Sequence, residues 1–198
     1  MLTDLIGLWA TSPFGNIHDQ PWNIVSNAAL HIQRVLGGLG QDYDLDGNIA
    51  RHCSSTVEAG AVIKGPAIIG ANCFIASGAL LRGGCFLDQG CIIGPGVELK
   101  SSFLFSNTKL AHFNFVGDSI LGEDVNLEAG SIIANYRNEL SDKTIRIGLI
   151  DTGVSKFGAL VGDHARLGAN AVLAPGTIIG RGRIVQRLEL VDQYPGDG

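Results

Sequence analysis

Five histidines, four cysteines and a cluster of aspartates are the side chains of this sequence with the most evident chemistry. The aspartates, in Asp42-Tyr-Asp44-Leu-Asp46-Gly47, open like a calcium loop, with ligands at the first, third and fifth positions and glycine at the sixth. The twelfth position is Cys53 where such a loop needs a bidentate glutamate, so the run reads as a solvated acidic connector. Cys53, Cys73, Cys85 and Cys91 lack the paired spacing of a zinc site and are too few for a disulfide framework, which leaves reduced thiols. His18, His31, His52, His112 and His164 show no pairing that would converge on one ion, and no metal is expected. A GxxxxGK[ST] phosphate loop is also missing. His112 differs in its setting, Lys109-Leu-Ala-His-Phe-Asn-Phe-Val-Gly-Asp118, whose residues the surrounding pattern does not require. An imidazole with an ordinary pKa of about 6.5 could act there as a general base, or it could be a satisfied or solvated side chain; spacing leaves both open.

The surrounding pattern is a repeat of six. Aliphatic residues fall at Val57, Ile63, Ile69, Ile75, Leu81, Leu87, Ile93 and Leu99, with Phe105 next in the series. Small residues recur at Ala61, Ala67, Cys73, Ala79, Cys85, Cys91 and Val97, and glycine at Gly60, Gly78, Gly84, Gly90 and Gly96. A short strand and a tight turn in every hexad reverse too sharply for a flat sheet. Three hexads therefore close one triangular coil, and the next coil stacks about 4.8 Å above it. The chain is expected to be all-β, a parallel β-helix whose aliphatic column is buried by stacking, with Cys73 over Cys91 as packed interior thiols. The register slips after Phe105 and Ala111, resuming at Phe115, Leu121, Leu127 and Ile133, and the slip brackets His112. A charged arm at about residues 137–160 then leaves the helix before the hexads return at Val161, Leu167, Leu173, Ile179 and Val185.

Ahead of the coils, Pro21 to Gly38 has the apolar spacing of a helix ended by Gly37-Gly38. Residues 1–50 are expected to form a helical segment and connector that caps one end of the solenoid, and 51–198 the β-helix. A chain of 198 residues with 45% hydrophobic content can bury one continuous core. Its net charge of -5 argues against nucleic acid or an anionic membrane as partner. No stretch approaches the roughly 20 apolar residues of a spanning helix, and residues 1–11 hold no basic residue ahead of their apolar run, so a cytoplasmic location is expected.

The string Val97-Glu-Leu-Lys100, Ala111-His112, Val116-Gly-Asp118, Gly122-Glu-Asp-Val-Asn126 and Ala129-Gly-Ser-Ile-Ile-Ala-Asn135-Tyr136 carries a family resemblance. Over roughly Val57 to Gly180 it resembles the hexapeptide-repeat acetyltransferase half of the bifunctional glucosamine-1-phosphate N-acetyltransferase and N-acetylglucosamine-1-phosphate uridylyltransferase family. Pro21-Trp22-Asn23 and the stretch Asp151 to Asp163 are similar to the archaeal-type sugar-1-phosphate nucleotidylyltransferases with a related C-terminal domain. The resemblance implies a left-handed helix, a homotrimer with sites at subunit boundaries, and the acetyltransferase half standing without its nucleotidyltransferase domain. It further implies transfer of acetyl from acetyl-CoA to the 2-amino group of glucosamine-1-phosphate or galactosamine-1-phosphate, with no metal required.

In that scheme His112 is the general base, Asn135 orients it and helps place the acetyl group, and Tyr136 stands beside them. Arg82 and Lys100 hold the sugar phosphate, Asn126 contacts the sugar, and Ala129 and Ala169 meet coenzyme A. Phe115 replaces a family tyrosine, removing a hydroxyl hydrogen bond worth about 0.5 to 1.5 kcal/mol. Arg181-Gly-Arg183-Ile-Val-Gln-Arg187 replaces the small residues that grip coenzyme A, so these arginines either bind its phosphates or end the helix. The alternative function is a non-catalytic trimerising or regulatory module that partners a separate sugar nucleotidylyltransferase.

Overall fold

The computed structural model describes residues 1–194. Short strands and tight corners wind these residues into seven stacked coils with three faces. Face I is a seven-stranded parallel ladder running from Thr56–Val57 through Lys109–Leu110 and Asn126–Leu127 to Ile184–Val185. Face II runs from Val62–Lys64 through Phe115–Gly117 and Ile132–Ile133 to Leu190–Val191. Face III runs from Ile49–His52 through Ile120–Leu121 and Ala159–Val161 to Thr177–Ile179. Leu80–Leu87 and Glu98–Leu104 bend across the corner between faces II and III and belong to both.

One aliphatic side chain per strand points inward, and the column from Ile69 to Val185 is buried almost completely. Each such side chain contributes roughly 1.5–3 kcal/mol by leaving water. At the corner between faces III and I, hydroxyls and thiols tie each coil to the next. Cys73 Sγ donates to the Asp88 carbonyl at 3.0 Å, Cys91 Sγ to Phe105 at 3.3 Å and Thr108 Oγ1 to Gly122 at 2.6 Å. Cys73 stands one coil from Cys91, as the repeat requires, and both are free.

The slip in the repeat lies elsewhere than expected. Thr56 pairs with Phe74 and Phe74 with Ile92, but Ile92 pairs with Lys109 and Lys109 with Asn126, so two coils are one residue shorter. The residue is lost at the corner between faces II and III. Gly83-Gly84 turns that corner between the second and third coils, whereas Ser101 and then Asp118 turn it alone, with φ of 47° and 45°. The interior series is therefore Leu99, Leu104, Leu110, Val116, Leu121. Phe105 and Phe115 do not belong to it, and the slip is two single-residue steps, at Ser101 and at Asp118 on either side of His112, rather than one between Ala111 and Phe115.

The expected helix from Pro21 divides at Asn27 into Pro21–Ser26 and Ala28–Leu36. Both lie along face III rather than over an end of the solenoid, whose first coil is instead met by the antiparallel hairpin Tyr43–Asp46/Ile49–His52. The reason is a second apolar cluster, in which Trp9, Phe14, Trp22, Ile24 and Ile32 pack on the outward side chains of face III. Phe14 meets the rings of Phe86 at 4.9 Å and Phe103 at 5.0 Å, and Phe105 joins this cluster. Gly84 permits the docking, because a Cβ there would overlap the backbone of Ala28 and Ala29.

The arm departs after Ile133 and rejoins at Ala159, so that Ile132 pairs with Val172. It carries the hairpin Arg146–Ile147/Ile150–Asp151 and returns Ile145 and Phe157 to the same cluster. Face III is thus covered by the chain itself. Phe74, Ile92 and Ile184 on face I, and Val62, Ile132 and Leu190 on face II, remain exposed. Among the described residues no helix is long and apolar enough to cross a membrane.

Asp163 fastens the N-terminal segment to the late coils. Its fully buried carboxylate accepts the N–H of Gly7 at 2.9 Å and of Glu123 at 3.0 Å and pairs with Arg181 at 2.8 Å. Asp163→Ala would leave those donors unmet, and chemical denaturation should report a loss of about 2–4 kcal/mol. A loss below about 0.5 kcal/mol would show that the segment is held by its apolar contacts alone.

Candidate active site

Asp118 organises one group of polar side chains at the corner between faces II and III. Its N–H donates to the Lys100 carbonyl at 2.8 Å and its carbonyl accepts from Gly158 at 2.9 Å, so the backbone is fixed from both neighbouring coils. The carboxylate, only 4% exposed, accepts from Lys100 Nζ at 2.6 and 2.7 Å and from the Asn135 amide. Gly117 makes room for this arrangement. A Cβ on it would stand 2.6 Å from Asn135 Nδ2 and 2.9 Å from the Phe115 ring, which places half-buried Phe115 beside Asn135. Arg82 lies one coil before Lys100 in the same column and is paired with Glu98 at 2.6 Å.

A cleft of about 450 Å³ opens here, lined by Lys100, Ser101 and Asp118 from the corner and Val154, Ser155 and Lys156 from the arm. Two ammonium groups and one carboxylate leave it net cationic, which suits a phosphate dianion. Tyr136, next to Asn135, is partly exposed, with Lys143 Nζ 5.6 Å from its ring centre.

His112 lies at the opposite edge of face II, the corner shared with face I. Its carbonyl accepts from Gly130 at 2.8 Å, that of Ala129 from Asn170 at 3.0 Å, and that of Ala169 from Leu188 at 3.0 Å. His112, Ala129 and Ala169 therefore form one column, one residue per coil, with the imidazole facing solvent. Phe113 follows with φ of 52° where neighbouring coils place Gly96 and Gly130, and it is 73% exposed. A bulky side chain in the left-handed region stores strain, so the turn beside His112 is held by its surroundings. The three-residue strand Phe115–Gly117 separates the two corners, about 10 Å at the usual rise. Within one chain His112 and Asn135 do not meet.

Asn126 stands apart from both groups, on face I between Lys109 and Arg166. The arginines of the last coil are all paired. Arg181 bonds Asp163 at 2.8 Å, Arg183 reaches Glu189 at 3.5 Å, and Arg187 holds Glu128 at 2.7 Å. The Arg187 guanidinium keeps the Glu128 carboxyl below the usual carboxylate range. Glu128 also accepts the N–H of Ala169 at 2.8 Å, so that donor of the column is already engaged. Among the described residues no three His, Cys, Asp or Glu side chains are grouped to hold a metal.

Asp118 and Lys156 are the site residues that motif reading did not single out. Both stood in the matched strings, and Asp118 marks the shortened corner, a signal visible once the interior series is read with five-residue steps. The Lys100–Asp118 pair is largely withdrawn from water, at 16% and 6% exposure. Asp118→Ala would strand the ammonium and should cost about 3–5 kcal/mol by thermal or chemical unfolding, whereas Lys100→Met with Asp118→Leu should cost clearly less. Equal losses in the single and double variants would mean that the corner conformation, not the charge, is what Asp118 supplies.

No family model matches the chain. A bifunctional sugar-1-phosphate nucleotidylyltransferase/acetyltransferase of Sulfurisphaera tokodaii is 32% identical over 170 residues, covering 81% of this chain and 42% of that protein. The bifunctional protein GlmU of Methanococcus maripaludis strain C7 is 36% identical over 202 aligned residues, covering 96% of this chain and 46% of that protein. The chain thus spans less than half the length of these curated relatives. Among solved structures, a hexapeptide transferase family protein from Anaplasma phagocytophilum aligns with a TM-score of 0.42 at 20% identity, over 72% of this chain and 81% of that one. By sequence and repeat architecture, the chain belongs with the C-terminal hexapeptide-repeat region of the bifunctional sugar-1-phosphate nucleotidylyltransferase/acetyltransferases.

Proposed function

We propose that the protein is an N-acetyltransferase that moves acetyl from acetyl-CoA to the 2-amino group of an amino-sugar 1-phosphate, glucosamine-1-phosphate or galactosamine-1-phosphate. The observation that carries this reading is the cleft lined by Lys100, Lys156 and Asp118, whose carboxylate also holds the Asn135 amide, in a chain related over 81% of its length to a protein named as a nucleotidylyltransferase/acetyltransferase. The ammonium groups of Lys100 and Lys156, with Arg82 one coil away, receive the sugar phosphate. As the amine attacks the thioester carbonyl, His112 takes the amine proton, the C–S bond breaks, and His112 returns that proton to the departing thiolate, releasing coenzyme A as its thiol. Ala129 and Ala169, in the His112 column, border the path of the coenzyme, and Asn126 contacts the sugar from face I.

His112 and Asn135 lie on opposite edges of face II, so the reaction requires two copies of the chain. A homotrimer that sets the His112 edge of one protomer against the Asn135 edge of the next completes every site. Face III is covered by the chain's own segments, which leaves the apolar residues of faces I and II to associate. A second reading, a non-catalytic module partnering a separate nucleotidylyltransferase, is favoured by one observation. Glu128 and Arg187 already occupy the corner where the coenzyme would lie.

Purified protein should release coenzyme A from acetyl-CoA when given an amino-sugar phosphate, and His112→Ala should lower the rate by about a hundredfold. Inertness towards both sugars, with a nucleotidylyltransferase co-purifying, would favour the second reading. His112→Ala and Asn135→Ala, each inactive alone, should restore about one site in four when subunits are mixed in equal amounts and reassembled. No recovery on mixing would place the whole site within one chain.

A further inference from the structure

Among the described residues Arg137 is the one cation that is almost wholly buried, at 4% exposure, and it lies two residues beyond Asn135. Its guanidinium meets Asp192 of the last coil through both terminal nitrogens, the Nη1 bond measuring 3.0 Å. It also bonds Glu139 at 3.0 Å and the Pro175 carbonyl at 3.4 Å, and stacks on Tyr194 with 4.4 Å to the ring centre. The contacts with Asp192, Pro175 and Tyr194 join the root of the arm to the end of the solenoid. The residues that follow Ile133 have no regular secondary structure and are held by individual hydrogen bonds, the Asn135 side chain on Asp118 among them. Ala134 is bonded into the ladder through Leu173 at 3.0 Å, and Asn135 accepts from Phe157 at 3.1 Å. Asn135 and Tyr136 thus form a short span fixed by the ladder on one side and by Arg137 on the other.

We propose that Arg137, clamped to Asp192, is a positioning residue that holds Asn135 and Tyr136 in place for acetyl transfer. This rests on the acetyltransferase reading of the same site. A bidentate guanidinium–carboxylate pair suits the task because its two parallel bonds fix direction as well as distance, which a lysine could not do. Asp192 keeps its charge for this role, since the Arg137 hydrogen bonds hold its carboxyl below the usual range. The clamp also couples the geometry of the cleft to the last described residues, Asp192 to Tyr194, well away from the cleft along the solenoid.

Asp192→Asn preserves shape and removes the charge. In the assembled protein, hydrogen exchange at the Ala134 amide, bonded to Leu173, and at the Phe157 amide, bonded to the Asn135 carbonyl, is expected to quicken at least about tenfold while the strands of the coils keep their rates. In acetyl transfer, kcat is expected to fall about tenfold with both KM values within about twofold, and Asp192→Glu to recover most of the loss. Unchanged exchange at the Ala134 and Phe157 amides, or faster exchange throughout the coils, overturns the clamp. Faster local exchange with kcat unchanged overturns its part in catalysis. A wild-type protein that transfers no acetyl group removes the acetyltransferase reading instead, and the exchange result still decides whether the clamp exists.

Discussion

Parallel backbone pairing from each coil to the next is the constraint on which everything else in this chain depends. Once Phe115 is paired with Glu98 and Ile132, every side chain on the same coils has a fixed neighbour above and below. A residue can change its surroundings only where the coil length changes or the chain leaves the coil. Both departures fall at the corner between faces II and III. Ser101 and Asp118 shorten it, and the arm inserts after Ile133. The cleft forms where the shortened corner meets the returning arm.

The repeat was legible because a buried aliphatic column leaves a period that polar substitution cannot blur. The thiol stack of Cys73 and Cys91 followed from the same period. The reading failed where two aromatic residues imitated the column. Phe105 continues the six-residue count but faces the outer cluster beside Trp9, and Phe115 stands one residue before the inward Val116. Apolar character reports burial but not which of two cores a side chain enters. The same ambiguity concealed the placement of the N-terminal helices. An apolar stripe on Ala28–Leu36 says that the helix packs, and only the outward Phe86 and Phe103 of face III say where.

For the candidate site, the family resemblance supplied Arg82, Lys100, His112, Phe115, Asn126, Ala129, Asn135, Tyr136 and Ala169. The structure distributes these over two corners and a separate face, a division that sequence distance cannot express. Asp118 was not singled out because a carboxylate within a turn is usually a capping residue, and its value lies in the partners that stacking brings to it. The cations at the site and in the late coils share one feature: Lys100, Arg82, Arg187, Arg137 and Arg181 each lie against a carboxylate. In the proposed reaction a substrate phosphate would share these cations with the chain's own acids, which makes Lys156 on the arm a determining part of the cleft's positive field.

The most direct measurement is a crystal structure of the assembled protein with an amino-sugar 1-phosphate bound. The phosphate should lie on Lys100 and Lys156 of one protomer, with the sugar amine about 3 Å from the His112 imidazole of the neighbouring protomer. A phosphate held elsewhere, or a His112 that faces solvent in the complete oligomer, would contradict a site built from opposite edges of face II.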